Sequence, residues 1–574
     1  VRNESKTFSP EQFRGRLRVV IGVLALAGVG LMARAVDLQI LDGGFLEGQG
    51  DARYTRVAKL SAHRGAILDR SGEPLAVSTP VDTIWVNPRE LKQAQDQWPR
   101  LAEALNRDKQ WLAQRVSSNL DREFLYLVRH MRPQDAAQVK ALNIPGVYVL
   151  REYRRYYPAG EVTGHALGFT SVDDTGQEGL ELAYDRWLSG EAGAKRVIQD
   201  RYGRMVEDIE SIKAPRPGQD LITSIDVRVQ YLAYRELKAA IQQHNAKAGS
   251  MVVLDIESGE VLAMVNQPSF NPNDREQLEA QRFRNRAATD IFEPGSSIKP
   301  FVAAAGIASG HFGPDTVIDT SPGTVRVGIK IVHDEHPIGA ATLTTVIAKS
   351  SNVGMTKMAL TLQPRAMWQM LDAFGFGQVT GSGFPGEAAG LLTSYTHWRP
   401  ISQATISYGY GLSVTPLQLA HAYAVLGAGG IMRPVSLRRV DGPVQGERVI
   451  DGRVAAQLLH MMETVVSEEG TGSRAALIGY RVAGKTGTAR KADNGGYSMD
   501  RHMAVFGGVV PATRPKLAAI VVIDEPSDGR YHGGEVAAPV FASVMAGALR
   551  LMAVAPDGLE TVPAATFVQT SLAP

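Results

Sequence analysis

For the stretch from about 220 to 550 of this 574-residue chain, the sequence predicts an α+β fold in which helices pack on an antiparallel sheet. A single apolar helix and a separate non-catalytic region precede it. Three observations carry this reading. The stretch runs as hairpin, helices, then strands. Residues 19–33 are uncharged and apolar. The chain is too long for one ordinary core, and the run 213–219, KAPRPGQ, reads as a linker between two regions.

The elements follow in chain order. Residues 1–16 form a tail, with Arg14, Arg16 and Arg18 ahead of the apolar run and Arg34 and Asp37 after it. The uncharged core is shorter than the ~20 residues of a usual spanning helix. Snorkelling by Arg18 and Arg34 extends it to 17–36, within an anchor assigned to 17–41. Two readings compete here. Ala33-Arg34-Ala35 resembles a small-residue cleavage site, which suits a removable signal peptide. The apolar pattern continues through Val36, Leu38, Ile40 and Leu41, which suits an uncleaved anchor. The basic flank on the N-terminal side predicts a cytoplasmic tail and an external remainder.

A non-catalytic region occupies 45–215, and a catalytic region occupies 220–555. Within the latter, 248–254 and 261–265 flank the turn-forming Glu257-Ser258-Gly259-Glu260 as a hairpin. Segments 504–510 and 517–524 read as two strands joined by Pro511-Ala512-Thr513-Arg514-Pro515. A last helix runs from 537 to about 554, and the Pro-, Ala- and Thr-rich end, 556–574, is expected to be disordered.

Composition narrows the function classes. The net charge of +2, with no dense basic stripe, argues against a nucleic-acid partner. The absence of cysteine removes disulfides, thiolate catalysis and thiolate metal sites. His333-Asp334-Glu335-His336 is the one cluster of metal-ligating types, and a solvated polar loop is the better reading of it. Gly43, Gly44, Gly48 and Gly50 lack the strand-to-helix context of a phosphate cradle.

Three motifs in fixed order carry the chemistry: Ser296-Ser297-Ile298-Lys299, Ser350-Ser351-Asn352, and Lys485-Thr486-Gly487-Thr488. A serine hydroxyl is a poor nucleophile near neutral pH, so it needs a proton acceptor and donors for the developing oxyanion. Each motif alone has an ordinary reading: a helix start, a cap, or a strand ending in a turn. Together, in this order, they describe a serine acyl-transfer site. Ser296 is expected to open a helix after Pro294-Gly295, where free N–H groups favour negative charge. Lys299 falls one turn on and on the same face, beside apolar residues that would lower its pKa and let it accept a proton. Pro300 is tolerated because it lies in the first turn. The run around Lys485 reads as an edge strand to which an extended peptide can add, with the N–H groups of Ser296 and Thr488 converging as an oxyanion hole.

These motifs, and long stretches beyond them, resemble the class B penicillin-binding proteins of the division-type septal peptidoglycan transpeptidases. The segments that carry the resemblance are HRGAILDRSGEPLA at 63–76, RYYPAGE at 155–161, GHALGFT at 164–170, GQEGLE at 176–181, and YGYGLSVTPLQLA at 408–420. The resemblance implies a serine β-lactamase/transpeptidase-like domain behind a single transmembrane helix and an elongated pedestal, or dimerisation, domain. It implies that Ser296 is acylated, that Lys299 is its base, and that Ser350 and Asn352 relay protons and hold the substrate amide. Lys485, Thr486, Gly487 and Thr488 would bind the donor peptide. Tyr408, Tyr410 and Tyr531 would line the cleft, although the two tyrosines at 408 and 410 read equally well as core residues beside a glycine turn. One departure stands at His532, where an aromatic residue is expected.

By the same resemblance no cofactor or metal is needed, and β-lactams mimic the stem peptide. The protein would sit in the bacterial inner membrane with its catalytic domain periplasmic. Its partners would be division proteins, including a separate glycan polymerase, since residues 1–215 carry no glycosyltransferase signature. Two alternatives share the trio: a D,D-carboxypeptidase or β-lactamase using water as acceptor, and a β-lactam sensor or division scaffold without turnover. Against a secreted β-lactamase stand the long pedestal and the anchor, and no glutamate is evident in a position to activate a deacylating water.

Overall fold

The computed structural model describes residues 10–37, 55–60, 62–199, 205–274, 279–493 and 496–558. The glycines at 43, 44, 48 and 50, the anchor's end at 38–41 and the tail from 559 on lie outside the described residues. Helix α1, Pro10–Val36, contains the span Arg14–Val36, 23 residues long and apolar enough to cross a membrane. At 1.5 Å per residue that span is about 34 Å, enough for a bilayer core. Its exposed Val19, Leu24, Leu26 and Leu31 make no packed core of their own.

The chain divides into two compact units. The smaller contains 80–153 and 191–216 together with the residues before 63. Its core gathers Ile84, Val86, Leu91, Trp98, Leu101, Leu112, Val116 and Leu125. A three-stranded antiparallel sheet, Thr55–Leu60, Gly193–Gln199 and Met205–Lys213, also belongs to it.

The larger unit contains 63–79, 154–190 and everything from 217 on, so it includes two segments that lie before the linker-like run. Its framework is α2 (Val227–Gln243), β1 (Ala248–Asp255), β2 (Val261–Gln267), α3 (Lys299–Ala308), α4 (Asn352–Thr361), α5 (Pro416–Gly427), α6 (Gly452–Val466), β3 (Ala483–Asp493), β4 (Gly496–Val510), β5 (Leu517–Asp524) and α7 (Ala538–Leu551). The strands form one antiparallel sheet in the order β2-β1-β5-β4-β3, which leaves β3 at an edge. The hairpin and the later strands thus stand where the sequence places them, and β4 begins earlier than its apolar part, at Gly496.

Strand alternation explains why β1 and β5 read as nearly continuous apolar runs. Val252, Leu254, Ala518, Ile520 and Val522 face one core, shared with α3, α5 and α6. Met251, Val253, Leu517, Ala519, Val521 and Ile523 face the other, shared with α2 and α7. A sheet covered on both faces needs apolar side chains at every position. Helix α7 is apolar for this reason: its Phe541, Val544, Met545 and Ala548 are buried against the sheet.

Candidate active site

The Ser296 turn is a three-ten turn, Gly295–Ile298, that runs directly into α3. This differs from a plain helix start at Ser296. Residues three apart eclipse one another in a three-ten turn, so Ser296 and Lys299 share a face. Pro300 falls in the first turn of α3, where its missing N–H costs nothing. Below the turn, Phe301 is fully buried and meets the rings of Phe374, Phe376 and Tyr423 edge-on at 4.8, 5.1 and 5.3 Å. The Tyr423 hydroxyl donates to Ser297 O at 2.9 Å, so the aromatic cluster holds the turn directly.

Ser296 is half-buried, whereas Lys299 and Lys485 are completely buried. Lys299 Nζ donates to Asn352 Oδ1 at 2.8 Å, to Ser350 Oγ at 3.2 Å and to Ser350 O. Lys485 Nζ donates to the same Ser350 Oγ at 2.9 Å, and to Thr486 O and Oγ1 at 3.1 and 3.3 Å. The Ser350 hydroxyl therefore bridges the two lysines. Burial, followed by the nearby Lys485 charge, holds Lys299 well below its ordinary pKa, with Asp334 opposing. Burial also lowers Lys485, to about 7. An amine at about 7 exists partly as a neutral base near neutral pH, and the same burial moves Lys299 in that direction.

Ser350 occupies the left-handed region, φ 62°, uncommon for a residue with a Cβ. Its strain is supported from both sides. Ser351 next to it caps α4, accepting from Gly354 N at 2.8 Å. Asp334 accepts from Ser351 Oγ at 2.6 Å, from Asn352 N, and from Val353 N at 2.9 Å. Asp334 is thus the anion at the start of α4, a specific structural role that the solvated-loop reading of 333–336 did not include. Among the described residues no group of three His, Asp or Glu side chains is placed to hold a metal ion.

On the opposite wall, the edge strand β3 presses against the Ser296 turn. A Cβ on Gly487 would come within 2.8 Å of Pro294 O and 3.2 Å of Ser297 N, which is why the motif needs glycine there. Thr486 Oγ1 meets Thr471 Oγ1 at 2.8 Å, and Thr488 Oγ1 accepts from Gly533 N at 3.1 Å. Ser296, Lys299, Ser350, Asn352, Lys485, Thr486, Gly487 and Thr488 therefore share one cleft.

The tyrosines adjoin it. Gly409, with φ 92°, lies so close to Gly295 that a Cβ would sit 2.0 Å from Gly295 O. On either side of it, Tyr408 and Tyr410 are half-buried and meet at 5.9 Å. The Tyr410 hydroxyl accepts from Arg490 N at 3.0 Å, two residues past Thr488. Burial pushes the Tyr408 hydroxyl up to about 12 and raises Tyr410. Two residues of this corner escaped the sequence reading, Glu293 and Tyr497. Glu293 Oε1 accepts from Gly411 N at 2.7 Å and from Tyr497 OH at 3.1 Å, and burial raises its pKa. Its place directly before Pro294-Gly295 was the available signal. Tyr531 is exposed at the rim and stacks on His502 at 4.2 Å. His532 follows it and starts the turn that carries Gly533.

Comparison with known proteins bears on both regions. Residues 249–546 match a family model described as the penicillin binding protein transpeptidase domain, and residues 59–223 match one described as the penicillin-binding protein dimerisation domain. The chain is 44% identical to the peptidoglycan D,D-transpeptidase FtsI of Escherichia coli, over 96% of this chain and 94% of that one. It is 41% identical to a probable peptidoglycan D,D-transpeptidase, PbpC, of Pseudomonas aeruginosa, over 96% and 97%. Among solved structures, the transpeptidase domain of Burkholderia pseudomallei penicillin-binding protein 3 is 41% identical with a TM-score of 0.54, covering 58% of this chain and 97% of that one. Mycobacterial penicillin-binding protein 3 complexed with aztreonam is 26% identical with a TM-score of 0.68, covering 87% and 98%.

Proposed function

Since this chain belongs to the penicillin-binding protein family, matching its transpeptidase and dimerisation models and near-full-length D,D-transpeptidase relatives, we propose how its own residues carry out the family's reaction. The protein is a peptidoglycan D,D-transpeptidase that cross-links stem peptides through a serine acyl-enzyme during septal wall synthesis, and it binds penicillins. In our reading Ser296 Oγ attacks the carbonyl of the D-Ala-D-Ala bond and Lys299, neutral by virtue of its burial, takes the proton. The N–H groups of Ser296 and Thr488 stabilise the oxyanion. The proton reaches the leaving D-Ala amine through Ser350, and an acceptor amine then attacks the ester and returns Ser296 to its hydroxyl form. Lys485, Thr486 and Thr488 hold the donor carboxylate, and Asn352 holds the donor amide.

The observation that carries this assignment of roles is the shared hydroxyl of Ser350, 3.2 Å from Lys299 Nζ and 2.9 Å from Lys485 Nζ. One hydrogen-bonded chain thereby links the base beneath Ser296 to the carboxylate-binding strand. The division of the chain belongs to the same proposal: a tail over 1–16, an anchor over 17–41, a pedestal over 45–215, a transpeptidase domain over 220–555 and a tail from 556. So does its placement, with α1 crossing the inner membrane, the catalytic unit in the periplasm and a separate glycan polymerase as partner. Labelling with a reporter penicillin tests the nucleophile, and Ser296→Ala is expected to abolish it. Muropeptide analysis with lipid-linked substrate and a polymerase present is expected to show cross-links. Trimmed peptides without cross-links would favour a carboxypeptidase.

A further inference from the structure

Two side chains that the acyl-transfer chemistry leaves unused meet at the rim of the cleft. His532 Nε2 lies 3.7 Å from Glu335 Oε1, with the side chains 40% and 67% exposed. Their attachments give this contact its meaning. Glu335 follows Asp334, whose carboxylate holds Ser351, Asn352 and Val353 at the start of α4. His532 precedes Gly533, whose N–H holds Thr488 on β3. The wall bearing Ser350 and Asn352 and the wall bearing Lys485 to Thr488 are therefore joined twice. Lys485 and Ser350 join them at the base, and Glu335 and His532 join them at the rim.

Tyr531 separates His532 from His502, stacking on the latter at 4.2 Å and lying 4.4 Å from the former. Asp334 is spent on α4. Glu335 therefore supplies the exposed anion at this point, and His532 its nearest partner. At 3.7 Å the contact is longer than a hydrogen bond, so an entering group can displace it at small cost.

We propose that Glu335 and His532 form a polar rim clasp whose Glu335 carboxylate selects acyl donors by the charge of their side chains, disfavouring donors with an anionic group at the rim. This deepens the acyl-enzyme reading above and rests on it. A donor bound between the walls passes beneath the clasp or opens it, and an anionic substituent there meets the Glu335 carboxylate, whereas a neutral one does not.

The test uses the full chain and two penicillins that differ by one carboxylate, benzylpenicillin and its α-carboxy derivative. The readout is the ratio of their second-order acylation rate constants, anionic over neutral, at low ionic strength. In Glu335→Gln the ratio is expected to rise about two- to five-fold, the size of an exposed charge contact, with the melting midpoint unchanged. Raising the salt to about 0.5 M is expected to shrink that gain, since screening then acts over a few ångströms. Glu335→Lys is expected to raise the ratio further. His532→Phe is expected to lower it, because the carboxylate loses its partner, and the double variant is expected to match Glu335→Gln. A ratio unmoved in both Glu335→Gln and Glu335→Lys would overturn the clasp. Failure of both penicillins to acylate the parent chain would instead overturn the acyl-enzyme reading, and the clasp with it.

Discussion

The larger unit buries two clusters of charge, and they are built on opposite terms. In one, Glu181 lies between two arginines. Arg64 Nε reaches its Oε2 at 2.8 Å, and Arg155 Nε reaches its Oε1 at 2.6 Å. Further bonds run from Arg64 to Asp185 at 2.7 Å and from Arg155 to Gly65 O at 2.7 Å. In the other, Lys299 and Lys485 lie side by side around Ser350, with hydroxyl, amide and carbonyl oxygens but no carboxylate in hydrogen-bond contact. Both clusters are withdrawn from water. The first meets its desolvation cost with opposite charges; the second leaves the cost standing, and the lysines lose proton affinity instead. A cluster of opposite charges is a joint, whereas a cluster of like charges is a store of neutral amine.

The largest expected effect separates the two roles. Lys299→Met removes the proposed proton acceptor and is expected to slow penicillin acylation by about 10²- to 10⁴-fold, the usual worth of general base catalysis. Its melting midpoint is expected to hold or rise, because a buried cation without a carboxylate partner is gone. Stopped-flow acylation and a thermal scan on the same sample check both halves. A fall in stability as large as the fall in rate would break the comparison.

The converse variant is Glu181→Gln. It leaves two buried guanidinium groups facing a neutral amide and is expected to cost about 3–5 kcal/mol of stability. Whatever fraction remains folded is expected to acylate at close to the parent rate, since among the described residues Arg64 and Arg155 bond to Glu181, Asp185, Gly65 and their neighbours and not to the cleft. Denaturant titration gives the first quantity, and active-site titration with a reporter penicillin gives the second.

Asp334→Ala falls between these. It removes three hydrogen bonds from one carboxylate at the start of α4. An effect of about 1.5–3 kcal/mol on stability follows from the worth of bonds to a charged group. The strained Ser350 loses a neighbouring support, so acylation is expected to slow as well, unlike in Glu181→Gln. An unaltered rate would show that Ser350 is held by its lysines alone.

What sequence reading reached and what it missed follow the same physical division. Ser296 and Lys299 were legible because their relation is local, three residues apart in one turn. The Lys485 strand was legible because small residues beside a cation mark an approachable edge. The alternation of β1 and β5 between two cores was visible only as apolar runs, since covering both faces erases the polar half of the pattern. The Arg64–Glu181 pair spans 117 residues, and no local signal announces it. Asp334 looked like loop polarity because the groups it binds lie 17 to 19 residues later. Ser350 carries no mark of its left-handed backbone, since glycine or asparagine would ordinarily stand there. His532 stood out as a departure, while its partner Glu335 lay hidden in the segment read as solvated.

The smallest effect is a pH slope, and it sharpens the contrast most directly. Lys485 gives up its proton near 7 in the folded protein, against an ordinary value of 10.5 for the unfolded chain. Between those two values the unfolded state binds the extra proton, so unfolding is increasingly opposed as pH rises. Lysines with lowered pKa values therefore add to stability upward from about pH 7, and the addition is absent below it. Arg64 behaves otherwise: Glu181 and Asp185 raise its pKa despite burial, so it stays charged throughout and contributes no slope in this range. Lys485→Met is expected to flatten the rise of unfolding free energy between about pH 7 and 9 by up to one proton's worth, relative to the parent. Parallel curves for parent and variant would mean that Lys485 keeps its proton when folded. Burial would then not suffice to neutralise Lys485, and the second cluster would carry a charge like the first.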